Sequence, residues 1–376
     1  MKRTPASLAI VAGYPPPYGG VTVEVQRLRP LLERRGVDYV IYNAVSESAD
    51  GERVISVYRY RRLWTLWHLL LGREPAIYLM SGRLLAWLLG ALAVRWRGKR
   101  VLVQLRNAFL ADWVAASPWR RMWAGVALRR LTGVVCVSRL LMDSATAVGV
   151  DPRRLLWSPA FLPPELAPED RSNVAREVWA FAASHTPLIA ANGKVLWYQG
   201  QDLYGLDHLV ELAARLKVDL PDVGVIVCFW DHVPEDGAYL AELQRRAGEL
   251  GVSDNILFNT KKGAFVPVLE ASDLFVRPTN TDGDAVSIRE ALYLGIPTVA
   301  SDAVERPREA VLFRTRDLDD FETKVRASLK EGRGADRGAR GRLSHQDRER
   351  IEAYISLLTS VAHGIDGGAP AVHSAR

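Results

Sequence analysis

Cysteine is nearly absent from this chain of 376 residues, with Cys136 and Cys228 the only two. Each lies in an apolar run, Val-Val-Cys-Val and Ile-Val-Cys-Phe, which reads as a buried strand and offers neither a disulfide framework nor a metal-ligand spacing. A reducing, cytoplasmic setting is the expectation. The seven histidines form no ligand cluster, no Ser/His/Asp grouping stands out, and no metal is expected. Uninterrupted apolar spans are missing too. The stretch 76–94 carries one charge, Arg83, but Ser81-Gly82 breaks it, so it reads as strand, turn and buried helix. Leu8-Ala-Ile-Val-Ala12 has the length of a strand, not of a secretory leader. There is no G-x-G-x-x-G fingerprint, which lowers the case for a nicotinamide enzyme, and no cofactor is expected.

What is present describes a globular protein, 48% hydrophobic and 24% charged, long enough for two domains. The net charge of +6 hides an asymmetry. From Tyr58 to Arg130, fourteen Lys or Arg face two acids, Glu74 and Asp112, so this segment is +12 and the remainder −6. It also holds seven of the eleven tryptophans: Trp64, Trp67, Trp87, Trp96, Trp113, Trp119 and Trp123. Arginine interleaved with Trp and Leu suits an anionic membrane surface; the plainer alternative is a solvated basic face over an ordinary core. Nucleic acid is the other partner of such charge, but no aromatic and glycine strand motif of an RNA module is present, so none is expected.

Short apolar runs alternate with helical patterns. Strands are expected at Leu8–Ala12, Asp38–Asn43, Ile77–Met80, Arg100–Leu105 and Gly133–Val137, with a helix ending at Gly36. After the proline-rich Ser158–Pro164 a second series begins: Leu188–Asn192, Gly224–Phe229, Asn255–Asn259, Leu274–Arg277 and Thr298–Ser301. Such alternation predicts an α/β fold of two Rossmann-like domains, each a parallel sheet wrapped by helices. The expected division is 1–164, 165–345, a helix over 346–363 that returns toward the first domain, and a disordered tail over 364–376.

Candidate chemistry concentrates late in the chain. In Pro278-Thr-Asn-Thr-Asp282-Gly-Asp-Ala-Val-Ser-Ile-Arg-Glu290-Ala, a polar loop carries one acid into a helix, and a second acid follows eight positions on. Ionised carboxylates are strong acceptors for hydroxyl-rich partners such as a sugar and a ribose. The backbone N–H groups of Ala285, Val286 and Ser287 at the helix entry suit a phosphate, and Arg289 is a further phosphate candidate. Gly19-Gly20, between the first strand and the first helix, lets a backbone approach a ligand closely; a tight turn explains the pair equally well. Lys194, after Asn192-Gly193, is either a phosphate cation or a surface lysine in a turn. Glu290 is either a ligand acid or a helix-entry acid favoured by the macrodipole.

The late segment resembles the signature of retaining, nucleotide-sugar-dependent glycosyltransferases of family 4, Pro-Ser-x-x-Glu-Gly-Phe-Gly-x-x-x-x-Glu-Ala, with Asp282 and Glu290 at its two acids. Gly19-Gly20, Lys194 and Val137-Ser138 resemble further parts of that family. The resemblance implies GT-B architecture, two Rossmann-like domains facing a central cleft. It implies nucleotide-sugar binding by Gly19, Gly20, Lys194, Asp282, Ala285, Val286, Ser287, Arg289 and Glu290, and catalytic roles for Asp282, Lys194 and Arg106. Asp282 would hold hydroxyls of the transferred sugar, and Glu290 those of the ribose.

Two departures stand out. Tyr204 occupies the place of a second diphosphate-binding lysine, with Arg289 or Lys262 left to compensate. Arg106-Asn107 follows the central strand where a histidine is usual. The implied activity is transfer of a hexose from a nucleoside-diphosphate sugar, with retention and without metal, to a lipid-linked saccharide in exopolysaccharide or lipopolysaccharide assembly. The basic, Trp-rich segment fits such an acceptor at the inner face of the cell membrane. A nucleotide-sugar 2-epimerase of the same architecture and a basic nucleic-acid-binding protein are the alternatives.

Overall fold

The computed structural model describes residues 6–50, 52–106, 110, 117–158, 160–164, 168–229, 232–282, 285–332, 341, 343 and 345–365. Asn107, Asp112, Trp113, Asp284 and the tail from 366 onward fall outside them. The chain divides into two compact units. One comprises Met1–Pro16, Gly20–Leu162 and Leu343–Arg376, the other Pro17–Gly19 and Pro163–Arg342.

The first unit runs β1 (Leu8–Ala12), α1 (Gly20–Arg34), β2 (Tyr39–Asn43), β3 (Val54–Ser56), α2 (Arg61–Leu71), β4 (Ala76–Leu79), α3 (Leu84–Arg97), β5 (Arg100–Leu105), α4 (Pro118–Leu128), β6 (Gly133–Cys136), α5 (Arg139–Ala147) and β7 (Leu155–Trp157). Its strands form a parallel sheet in the order β3-β2-β1-β4-β5-β6-β7. In register, Ile10 of β1 lies between Ile41 and Tyr78. Strands this apolar on both faces need helices on both sides, since neither face can meet water at low cost. Val25, Leu28 and Leu32 of α1, three and four positions apart, supply one buried stripe.

Helices α6 (Pro168–Ser172) and α7 (Arg176–Ser184) open the second unit, followed by β8 (Leu188–Gly193), the hairpin β9 (Trp197–Tyr198) and β10 (Gln201–Asp202), α8 (Leu206–Lys217), β11 (Gly224–Phe229) and α9 (Gly237–Glu249). Then come β12 (Ile256–Asn259), α10 (Val266–Ala271), β13 (Leu274–Arg277), α11 (Val286–Tyr293), β14 (Thr298–Ser301), β15 (Val311–Phe313) and α12 (Leu318–Gly332). The parallel sheet here is β12-β11-β8-β13-β14-β15. The last helix, α13 (His345–His363), belongs to the first unit. There it adds Tyr354, Leu357, Leu358 and Val361 to the core around Leu8, Ile10 and Tyr78. Each such side chain contributes about 1.5–3 kcal/mol of burial free energy.

Two parallel-sheet, Rossmann-like units are therefore present, as the alternation of strands and helices predicts. Strands β1, β5, β11, β13 and β14 have the expected limits. The stretch 76–94 is β4 followed by a helix that buries Ala86, Trp87 and Leu89. No helix among the described residues is long and apolar enough to cross a membrane. Cys136 and Cys228 are buried free thiols in β6 and β11, and burial pushes each up to about 12. Three pieces have no counterpart in the sequence reading: β3, β15 and the hairpin β9-β10, all two or three residues long.

Candidate functional site

The ends of β8, β13 and β14 bring the polar groups of the second unit together. β8 runs out at Asn192-Gly193, with half-buried Lys194 next. β13 runs out at Arg277, a guanidinium on the last residue of an otherwise apolar Leu-Phe-Val strand. Its Nη1 donates to the carbonyl oxygen of Asn192 at 3.0 Å and to Asn192 Oδ1 at 2.8 Å. Its Nε donates to Asp282 Oδ2 at 3.0 Å and its Nη2 to Asp282 Oδ1 at 3.3 Å. On the other side of that carboxylate, Arg306 Nη1 donates to Oδ2 at 3.1 Å and Nη2 to Thr279 Oγ1 at 2.9 Å. Ser301, the last residue of β14, donates its hydroxyl to the Thr279 carbonyl.

This is a buried cluster: the side chains of Arg277, Arg306 and Asp282 are 6%, 1% and 12% exposed. Burial alone would raise the Asp282 carboxyl, but the charges of Arg277 and Arg306 outweigh it and hold the group below the ordinary carboxylate range. Taking such charges out of water costs several kcal/mol per ion, so the cluster stands only because its donors and acceptors meet in good geometry.

Tyr204 settles against the same strand end. Its ring lies so close to Gly193 that a Cβ there would sit 3.0 Å from it, and the Arg277 guanidinium covers the ring at 4.9 Å from the centroid. Gly205 holds φ +64°, and a side chain there would run into the Pro278 carbonyl. Two glycines thus let three backbone segments close on one tyrosine. Below it, buried Asp202 fastens the start of α8, accepting from Leu206 N at 2.8 Å and Tyr239 Oη at 2.9 Å. A cavity of about 510 Å³ opens beside Asp202, Trp197, Tyr239 and Arg316, and none of Lys194, Asp282 or Glu290 lines it. Its walls carry matched ion pairs, Asp207 with Arg316 and Glu211 with Arg246.

Ala285 occupies the N-cap position of α11, where it has no side chain to accept from the first-turn N–H groups. Glu290 lies on the buried face of this helix with Ser287, Ile288 and Ala291, and is 5% exposed. It stands beyond the first turn, where the macrodipole has largely fallen off, so the dipole gives a weak account of a buried carboxyl there. Val286 and Arg289 are half-buried.

Gly20, in the first unit, is the first residue of α1, and Gly19, grouped with the second unit, is half-exposed. Arg106 follows β5 and donates Nη1 to Glu24 and to Gln104 Oε1. Glu24 also accepts from Gln104 Nε2 at 2.9 Å and from Tyr354 Oη at 3.1 Å, and the Tyr354 hydroxyl is 2.9 Å from that of Tyr78. Arg106 after β5, Gln104 within β5 and Tyr354 on α13 therefore share the single buried carboxylate of Glu24 on α1.

Sequence reasoning named Asp282 and Glu290 from their spacing and Lys194 by resemblance; it assigned no role to Arg277, Arg306, Asn192 or Thr279, which the structure gathers around Asp282. It looked to Arg289 or Lys262 for the cation missing at 204. Lys262 is exposed in the turn before α10, and the cation seated on the Tyr204 ring is Arg277. One signal was available, a charge closing an apolar strand immediately before proline.

Residues 187–313 match the family described as Glycosyl transferases group 1, a stretch that holds Asn192 to Lys194, Tyr204, Arg277, Asp282, Glu290 and Arg306. A 223-residue match, 27% identical, is found with the lipopolysaccharide core biosynthesis mannosyltransferase LpsB of Rhizobium meliloti (strain 1021). It covers 55% of this chain and 58% of that protein, so the chain spans under two thirds of this relative's length. Among solved structures, Anabaena Alr3699/HepE in complex with UDP-glucose superposes with TM-score 0.62 at 15% identity, over 95% of this chain and 97% of that one. WaaG, a glycosyltransferase involved in lipopolysaccharide biosynthesis, superposes with TM-score 0.58 at 16% identity, over 96% and 100%. The chain therefore has the two-unit Rossmann-like fold of GT-B glycosyltransferases, and its second unit is similar in sequence to group 1 glycosyltransferases.

Proposed function

We propose that this protein is a retaining glycosyltransferase that moves a hexose from a nucleoside-diphosphate sugar to a lipid-linked glycan acceptor in cell-surface polysaccharide assembly. The observation that carries the reading is Glu290, a nearly fully buried acid on the helix that follows the Asp282 loop, inside the segment similar to group 1 glycosyltransferases. Glu290 accepts from the ribose hydroxyls, and Lys194 and the entry of α11 at Ala285, Val286 and Ser287 receive the diphosphate. Arg289 is a second cation for the diphosphate. Departure of a nucleoside diphosphate builds negative charge on phosphate oxygens, and preorganised donors and cations stabilise it. Retention is assigned to front-face attack with the leaving phosphate as base.

Thermal stabilisation by a panel of nucleotide sugars tests this. A donor at about 100 times its Kd adds about 2.7 kcal/mol to the unit it binds. Wild type is expected to respond to one or two members of the panel, and Glu290→Ala to none; an equal response from the variant would remove Glu290 from the site.

The acceptor proposal draws on the basic, Trp-rich segment. Helix α3 packs against both α2 and α4. These three helices and their flanks leave Trp67, Trp96, Trp119 and Trp123 exposed, together with Arg73, Arg83, Arg95, Arg97, Arg120 and Arg121. Such a surface favours peripheral attachment to anionic lipid at the cytoplasmic face. The protein is expected to float with anionic liposomes at low salt, and failure to do so would sink the membrane assignment.

A further inference from the structure

We infer that Arg277 supplies fixed positive charge to a phosphate bound at the ends of β8 and β13, the task a lysine at position 204 would otherwise perform. The inference rests on the nucleotide-sugar reading above. Arg277 is a positioning residue, because its side chain is only 6% exposed and its donors are engaged by Asn192 and Asp282. Three observations support this role.

The first is place. The guanidinium at the end of β13 lies over the ring of Tyr204, so a cation stands 4.9 Å from the ring centroid of the residue where the lysine is absent. The second is what it holds. Nη1 binds both the carbonyl and the side-chain oxygen of Asn192, two residues before Lys194, and so fixes the direction in which β8 delivers Gly193 and Lys194. A planar guanidinium can hold Asn192 and Asp282 at once, while an ammonium offers no such fork. The third is charge. Asp282 is shared between Arg277 and Arg306, so these three groups contain two cations and one anion, in a setting where water screens little.

Calorimetric titration of the full chain tests the role, with UDP, GDP and ADP each compared with its own nucleoside. Wild type is expected to prefer one diphosphate strongly over the matching nucleoside. Arg277→Gln should bind that diphosphate about ten- to a hundredfold more weakly, the range for losing an interaction with a charged group, while nucleoside affinity stays within about threefold. Adding Tyr204→Lys to Arg277→Gln should recover at least about tenfold. The inference alone is overturned if Arg277→Gln binds the diphosphate like wild type, or loses nucleoside and diphosphate equally. If Arg277→Gln does not fold, the double variant is read by itself: preference for the diphosphate is expected, and its loss despite the restored lysine overturns the inference. A wild type that binds no nucleoside diphosphate overturns the glycosyltransferase reading as well.

Discussion

Asp282→Asn changes one charge and almost no volume, and the structure makes the consequence large. Arg277 and Arg306 would remain 6% and 1% exposed with the carboxylate between them gone. Removing one partner from a buried ion pair costs about 3–5 kcal/mol, because the surviving charge stays buried without compensation. In a unit the size of Pro163–Arg342, each kcal/mol moves the transition by about 2–4 °C, so a fall of about 6–20 °C is expected. Scanning calorimetry at pH 7 measures it, with the transition of the first unit as internal reference.

The pH dependence gives an independent check. Because the folded carboxyl lies below its ordinary value, its contribution is complete above the unfolded value of about 3.9 and is lost as pH falls through the folded one. The gap between wild type and Asp282→Asn should therefore be constant from pH 7 to about pH 5 and close below about pH 4. A shift under about 3 °C at pH 7, or a gap unchanged at pH 3, would refute the account of Asp282 as the counter-charge of two arginines.

Three other expectations are independent of that cluster. Gly205→Ala should destabilise the second unit by at least about 1–3 kcal/mol in denaturant titrations, since φ +64° and the Pro278 carbonyl both oppose a Cβ. Tyr354→Phe should cost about 1–3 kcal/mol in the first unit, seen as an earlier urea midpoint, because Glu24 and Tyr78 each lose a buried partner. Cys136 and Cys228, buried thiols pushed up to about 12, should resist an aromatic disulfide reagent at pH 8 until urea unfolds the chain. Prompt reaction of either in native buffer would contradict its burial.

The sheets were legible because parallel strands buried on both faces must be apolar throughout, as Leu8–Ala12 and Gly224–Phe229 are. Pieces of two or three residues such as β9, β10 and β15 are too short for any period to show. The site divides in the same way. Asp282 and Glu290 stand eight residues apart on one loop and helix, a local spacing that a sequence displays directly. Arg277 reaches Asn192 across 85 positions, and Arg306 reaches Asp282 across 24. Strand pairing in three dimensions makes those neighbours, and an arginine beside a proline reads along the chain as an ordinary strand exit. Tyr204 shows the difference most clearly: the guanidinium over its ring belongs to Arg277, at the end of a strand far along the chain.

Helix α13 carries a consequence for how the protein is made. Tyr354, Leu357, Leu358 and Val361 close a core that begins with Leu8 and Ile10, so the sheet synthesised first lacks part of its covering until residues near 361 have left the ribosome. The second unit, continuous over Pro163–Arg342, has nearly all of its residues earlier. Domains tend to fold as they emerge, from the N-terminal side onward. Here the order of completion is reversed: the unit begun first is finished last, and its exposed apolar sheet is the surface most in need of protection during translation.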